Sequence, residues 1–127
     1  LEVTNEDLQL RFNGSQLEQL LTNLCDNGLR YSRKHTGVPS LDIRVSLHPA
    51  SQSPVLDIID MGPGVPKSRE EQIFEPFFTT ENSGTGLALF ICKEICEANQ
   101  ARIYYRRTDK QQSCFRIIFA HADRHID

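Results

Sequence analysis

Two asparagines one helical turn apart, Asn23 and Asn27, are followed at three and four residues by Arg30 and Tyr31. On a helix these four side chains share one direction, beside the leucine stripe rather than within it. An amide oxygen is a hard, neutral ligand, suited to a Mg²⁺ that keeps most of its shell from water and phosphate oxygens. Further along, Asp60-Met61-Gly62-Pro63-Gly64 follows directly on an apolar run. A buried carboxylate at a strand end can accept a hydrogen bond from the exocyclic amine of adenine. Glycines there let the backbone turn and approach a base closely, and Pro63 and Pro66 stiffen the turn. Ile73-Phe74-Glu75-Pro76-Phe77-Phe78-Thr79-Thr80 gathers three phenylalanines in a Pro-interrupted segment, which must pack or dock somewhere. A core role is open to Phe74 and Phe77, and Phe78 is expected to be the mobile ring. Gly84-Thr85-Gly86-Leu87 opens a helical stretch whose amides and N-terminus favour a triphosphate. Each block alone is an ordinary amphipathic helix edge or glycine turn. In this order they describe an ATP pocket.

The elements that must position these groups follow from periodicity. Leu8 to Phe12 alternates as a half-buried strand. Asn13-Gly14-Ser15 breaks it, and Ser15 with Glu18 predicts a helix-starting capping box. Leu17, Leu20, Leu21, Leu24 and Gly28 then form one stripe of that helix. Lys34 to Ser40, with Gly37 and Pro39, is predicted as loop. Leu41 to Leu47 and Val55 to Asp60 read as strands, antiparallel because their connection is short. Lys67 to Ile73 reads as a short helix with Pro66 near its first turn. Gly86 to Asn99 reads as a longer one, with a core stripe of Leu87, Phe90, Ile91, Ile95 and Ala98. Ala101 to Arg106 and Ser113 to Ala120 form a hairpin around Asp109-Lys110. The sum is a two-layer α/β sandwich, with a mixed, mostly antiparallel sheet covered by about three helices.

The chain has 127 residues, 39% hydrophobic and 24% charged, with a formal net charge of −3. That length makes one domain with a real core. The charge argues against non-specific nucleic-acid binding, and Arg102, Arg106 and Arg107 read as a solvated face. No run approaches the ~18 apolar residues of a membrane span, and Leu1-Glu2-Val3-Thr4 lacks the features of a signal peptide. Without an initiator Met, the chain reads as a fragment of a longer protein. Cys25, Cys92, Cys96 and Cys114 have no CxxC spacing. They read as buried reduced thiols of a cytoplasmic protein rather than a metal site.

The four blocks match the N, G1, F and G2 boxes of the GHKL ATPase superfamily. Over roughly Asp7 to Phe119 the chain resembles the catalytic ATP-binding domain of a bacterial sensor histidine kinase, with its Bergerat fold. The short Glu81–Ser83 lid and the stretch Cys92 to Ala101 look most like the NtrB/PilS type, the latter controlling type IV pilus transcription. The resemblance implies Asn27 as the Mg²⁺ ligand, Asn23 as a phosphate or metal-water contact, and Arg30 as a phosphate contact. Tyr31 would cover the nucleotide and Asp60 would read the adenine, with Gly62, Gly64 and Val65 beside it. Ile73, Phe78, Thr79 and Thr80 would flank the lid, and Gly84, Thr85, Gly86 and Leu87 would meet the phosphates. Ala88 stands where many relatives carry Gly, and Glu81 where several carry Lys.

The resemblance also bears on reaction type. Hydrolytic relatives carry a water-activating Glu at the first N-box position, and Asn23 has no site that titrates near neutral pH. Asn there suits transfer of the γ-phosphoryl group to a supplied acceptor. The acceptor histidine of such kinases lies in a helical His-Glu context on a separate dimerisation domain. His35 (read as loop), His48, His121 and His125 do not meet that description. The expected partners are therefore that helical domain and a downstream response regulator. The isolated chain is expected to be monomeric, without nucleic-acid or membrane contact, and its parent to be anchored in the inner membrane. The alternatives are a hydrolytic or serine-directed member of the superfamily and a degenerate nucleotide-binding or docking module.

Overall fold

A computed structural model describes residues 12–78 and 86–120. Helix α1, Gly14–Thr36, is capped by Asn13, whose Oδ1 accepts the Gln16 N–H at 2.9 Å and the Ser15 hydroxyl at 2.9 Å. The expected Ser15 cap is thus displaced by two residues, because the asparagine already satisfies the first-turn donor and is the better cap. The helix also runs past the predicted loop start. Arg33, Lys34 and His35 form its last turn, where cations complement the dipole, and Gly37 ends it in the left-handed region. His35 is accordingly helical, not in a loop, although Thr36 rather than Glu follows it.

Strands β1 (Leu41–Leu47), β2 (Pro54–Asp60), β3 (Arg102–Arg107) and β4 (Ser113–Ile118) form one sheet in the order β1-β2-β4-β3. Every pairing among the described strands is antiparallel, with Leu41 opposite Asp60, and Asp60 opposite Ser113. The predicted strand before α1 lies outside the described residues except for Phe12, whose ring meets Phe119 edge-on at 5.6 Å. Between β2 and the second helix, the predicted short helix is two 3₁₀ turns, Lys67–Arg69 and Gln72–Phe74. Helix α2 covers Ala88–Ala98, shorter at both ends than expected.

The buried stripe of α2 also differs from the expected one. Cys92, Ile95 and Cys96 are buried, Leu89 and Ile91 pack against the core, and Ala98 is exposed. The cysteines behave as small hydrophobes at i and i+4, letting α2 lie close to α1. Burial pushes the Cys92 and Cys96 thiols up to about 12, so both are protonated near neutral pH. Asn99 fastens the C-terminal end of α2 to the start of α1. It donates to Gln16 Oε1 at 2.9 Å and to the Ile95 carbonyl at 2.8 Å, and accepts the Asn13 N–H at 3.0 Å.

The helices cover the sheet face that carries Leu56, Ile58, Tyr105, Phe115 and Ile117, and the 3₁₀ segment adds Ile73 and Phe74. Three aromatic rings run edge to face through this core, Tyr105 to Phe115 at 5.5 Å and Phe115 to Phe74 at 6.0 Å. On β2 itself every residue is buried, including two carboxylates. Asp57 is matched across the ladder by Arg116, whose Nε and Nη2 donate to its two oxygens at 2.7 and 2.8 Å.

This bidentate pair generates a stability test. Arg116→Met deprives the Asp57 carboxylate, buried in the unsubstituted chain, of its guanidinium partner. The change is expected to lower the unfolding free energy by about 2 kcal/mol. Urea denaturation checks it, and the double variant Asp57→Val/Arg116→Met should recover part of the loss.

Candidate active site

The site lies where the C-terminal half of α1 passes the end of β2. The buried stripe of α1 does not stop at the leucines. It continues from Leu20 and Leu24 through Asn27 and Gly28 to Ser32. Asn27, expected beside the stripe, is within it at 6% exposure. Arg30 is exposed and donates to Asn27 Oδ1 at a long 3.4 Å, and its guanidinium stands 5.7 Å from the centre of the Tyr31 ring. Asn23 is half-buried beside Cys92, whose thiol it helps to draw down against the effect of burial. The four polar residues of α1 therefore form a gradient, from the buried Asn27 to the open Arg30.

Facing them is Asp60, 3% exposed at the last position of β2. Its Oδ1 accepts the Gly62 N–H at 2.8 Å and its Oδ2 accepts the Ser113 hydroxyl at 3.1 Å. Burial raises its carboxyl above the ordinary carboxylate value, and these two hydrogen bonds pull it back. Both bonds fix the plane of the carboxylate, leaving further lone pairs as acceptors for an amine donor.

The loop after Asp60 is held by residues that sequence reading did not single out. Ser32, fully buried, accepts the Met61 N–H at 2.8 Å and donates to the Ser40 carbonyl at 2.8 Å. The Tyr105 hydroxyl accepts the Val65 N–H at 3.0 Å, and Arg107 donates to the Pro63 carbonyl at 3.2 Å. Arg107 is exposed, as its reading on a solvated face expects, and in addition its guanidinium is bonded to the loop. The signal for Ser32 was present, since it continues the stripe four residues after Gly28. Nothing local marks Ser113, Tyr105 or Arg107, because the sheet ladder alone brings them near residue 60.

The phenylalanine segment divides differently from expectation. Phe74 is buried and Phe78 packs against the core, whereas Phe77 is the exposed ring at 74%. Phe77 has a φ of 68° and its N–H donates to the Gly86 carbonyl at 2.9 Å, which turns its side chain outward and joins this segment to the foot of α2. Ile73 is part of the core at 7% exposure. Gly86 and Leu87 are half-buried. Thr79, Thr80, Glu81, Gly84 and Thr85 lie outside the described residues.

The donor set fits a cation carried by a nucleotide. Asn27 Oδ1 is a hard oxygen next to a basic residue that can meet phosphate. Among the described residues no group of three or more His, Cys, Asp or Glu is gathered to hold a metal. One protein oxygen with water and phosphate completing the shell is a Mg²⁺ arrangement.

The family description "Histidine kinase-, DNA gyrase B-, and HSP90-like ATPase" matches residues 13–123. The sensor protein kinase PilS of Pseudomonas aeruginosa is 49% identical over 121 residues, covering 95% of this chain and 23% of that protein. The adaptive-response sensory kinase SasA of a Synechocystis species is 33% identical over 103 residues, covering 78% of this chain and 26% of that protein. The chain thus spans about a quarter of the length of these relatives. In structure it is similar to the catalytic domain of histidine kinase ThkA, with a TM-score of 0.74 and 27% identity, covering 93% of this chain and 74% of that one.

The raised carboxyl of Asp60 has a thermodynamic consequence. Its contribution to stability is complete below the unfolded value of 3.8 and is lost as pH rises through the higher folded value. Asp60→Asn keeps both hydrogen bonds, with the Ser113 hydroxyl reversed, and removes the buried charge. The ligand-free variant is expected to melt above the unsubstituted chain at neutral pH. The gap should close as pH falls towards the unfolded carboxyl value, and calorimetric melts across that range check it.

Proposed function

Because this chain belongs to the histidine kinase-, DNA gyrase B-, and HSP90-like ATPase family, we propose that it is the ATP-binding catalytic domain of a sensor histidine kinase. It binds Mg-ATP and donates the γ-phosphoryl group to a histidine on a separate helical dimerisation domain. The observation that carries this reading is Asp60, a carboxylate kept in the core with both oxygens oriented, beside a glycine loop and against α1 at Gly28, next to Asn27 in the chain. Burying a charge there costs stability, and an adenine-amine acceptor is what that cost provides.

The division of labour follows from the gradient along α1. Asp60 reads the exocyclic amine of the base, and Gly62 and Gly64 let the loop backbone lie against it. Tyr31 covers the nucleotide, while Asn27 holds the metal and Arg30 meets phosphate oxygens. Bound Mg²⁺ supplies charge neutralisation for the phosphates. Asn23 orients phosphate or water and takes no proton, which disfavours hydrolysis. In the transfer, the bond from the γ-phosphorus to its bridging oxygen breaks and a phosphorus–nitrogen bond to the acceptor imidazole forms, with ADP leaving. Gly84, Thr85, Gly86 and Leu87 are proposed to meet the phosphates, with Ile73, Phe78, Thr79 and Thr80 flanking the lid and Val65 beside the base. The exposed Phe77 is proposed to dock on the helical domain bearing the acceptor. A response regulator would then receive the phosphoryl group, and the PilS likeness supports a role in type IV pilus control.

Calorimetric titration tests this directly. The chain is expected to bind ATP in preference to GTP and more tightly with Mg²⁺. Asn27→Ala should abolish the Mg²⁺ enhancement, and Asp60→Asn should weaken ATP binding by about tenfold or more. Asn23→Glu should raise the slow ATPase rate. Absence of binding at millimolar ATP, or stable labelling of the isolated chain by γ-phosphate, would overturn the proposal.

A further inference from the structure

The loop from Met61 to Val65 is fastened from the sheet as well as from α1. Tyr105 and Arg107 stand two residues apart on β3, so both project from the same side of the strand. The Tyr105 hydroxyl accepts the Val65 N–H at 3.0 Å. Arg107 Nη2 donates to the Pro63 carbonyl at 3.2 Å, while its Nη1 donates to the Gln111 carbonyl at 3.1 Å in the β3–β4 turn. Between these anchors Gly64 has a φ of +80° and lies flat on both side chains. A Cβ there would come within 2.5 Å of Arg107 Nη2 and 2.6 Å of the Tyr105 hydroxyl. A residue with a side chain here would have to adopt a left-handed φ and displace either the loop or the Arg107 and Tyr105 side-chain ends that hold it.

The two anchors differ in kind. The Tyr105 ring is 5% exposed and is located by Phe115, which is located in turn by Phe74. Its hydroxyl is therefore a post set in the core. Arg107 is exposed and ties the loop to the hairpin turn. With Ser32 on Met61 and Asp60 on Gly62, four of the five loop residues have a main-chain group bonded to a side chain. A loop left to water would have to be ordered as its ligand binds, at a cost in affinity. This one is ordered beforehand.

We propose that Tyr105 and Arg107 are positioning residues for the base end of the nucleotide, holding the Gly62–Gly64 loop in the shape that lines Asp60. This rests on the nucleotide reading above. Their removal affects every adenine nucleotide alike, because the anchored loop lies at the base end and not along the phosphates.

Tyr105→Phe keeps the ring and its stacking and deletes only the hydroxyl oxygen. In the 127-residue chain its dissociation constant for ATP is expected to rise about fivefold, with the same factor for ADP. Amide exchange at Val65 in the nucleotide-free variant should accelerate while core amides of β4 keep their protection. Arg107→Gln, at an exposed position, should weaken both nucleotides about two- to threefold without moving the melting temperature. Unchanged Val65 exchange in Tyr105→Phe would overturn the fastening. Faster exchange with unchanged ATP affinity, or a loss confined to ATP, would overturn the positioning role. Failure of the unsubstituted chain to bind ATP would overturn the nucleotide reading and this role together, whereas Val65 exchange reports on the fastening in the absence of any ligand.

Discussion

Keeping Asp60 buried and ionisable at the end of β2 is the constraint around which the rest of the domain is arranged. A carboxylate in the core is tolerated only when its oxygens find donors, and here the donors come from the loop amide of Gly62 and the first residue of β4. Helix α1 must pass close by to bring Asn27 and Tyr31 to the same place. Gly28 permits that approach, since a Cβ there would lie 3.3 Å from Asp60 Cβ and 2.5 Å from a methyl of Leu41. The helix therefore gives up some intrinsic stability at a mid-helix glycine in exchange for the contact that builds the site.

The resulting site has two unlike ends. Around Asp60 the backbone is tied to buried side chains, and the ring of Tyr105 carries that rigidity outward from Phe74 and Phe115. Towards Arg30 and Phe77 the side chains are exposed. A rigid end suits the base recognition proposed for Asp60, which depends on acceptors held in place before the ligand arrives. An open end suits the approach of the proposed acceptor domain, whose encounter requires groups accessible at the surface. Stability and the proposed function thus draw on different residues of one helix, Leu20 and Leu24 for the core and Asn23, Asn27, Arg30 and Tyr31 for the proposed site.

Much of this was legible in the order of residues along the chain. The α1 stripe, β1 and the β3–β4 hairpin follow from local period and turn chemistry, and the α1 and Asp60 blocks, read from residue type, do come together where Gly28 approaches Asp60. The sequence misled where local signals compete. Asn13 and Ser15 both make good caps, and only the hydrogen bond made decides between them. Phe74, Phe77 and Phe78 are the same residue type, and a positive φ at Phe77 determines which of them faces water. In α2, the cysteines at 92 and 96 occupy the buried face because α1 lies against it, which no helical period of α2 alone could specify.

What the sequence determined by itself was the kind of elements, the family and the residues proposed for the pocket, since these depend on residue types and spacing within single segments. Only the tertiary structure decided how the pocket is held. Ser113, Tyr105 and Arg107 reach the loop after Asp60 through the antiparallel register of β2, β4 and β3, and that register is a property of strands far apart in the chain. The burial of Asn27 was likewise decided by what packs over it. Hydrogen bonds between distant segments leave no local period to read, because their partners are matched by the packing of the whole sheet against the helices rather than by their neighbours in sequence.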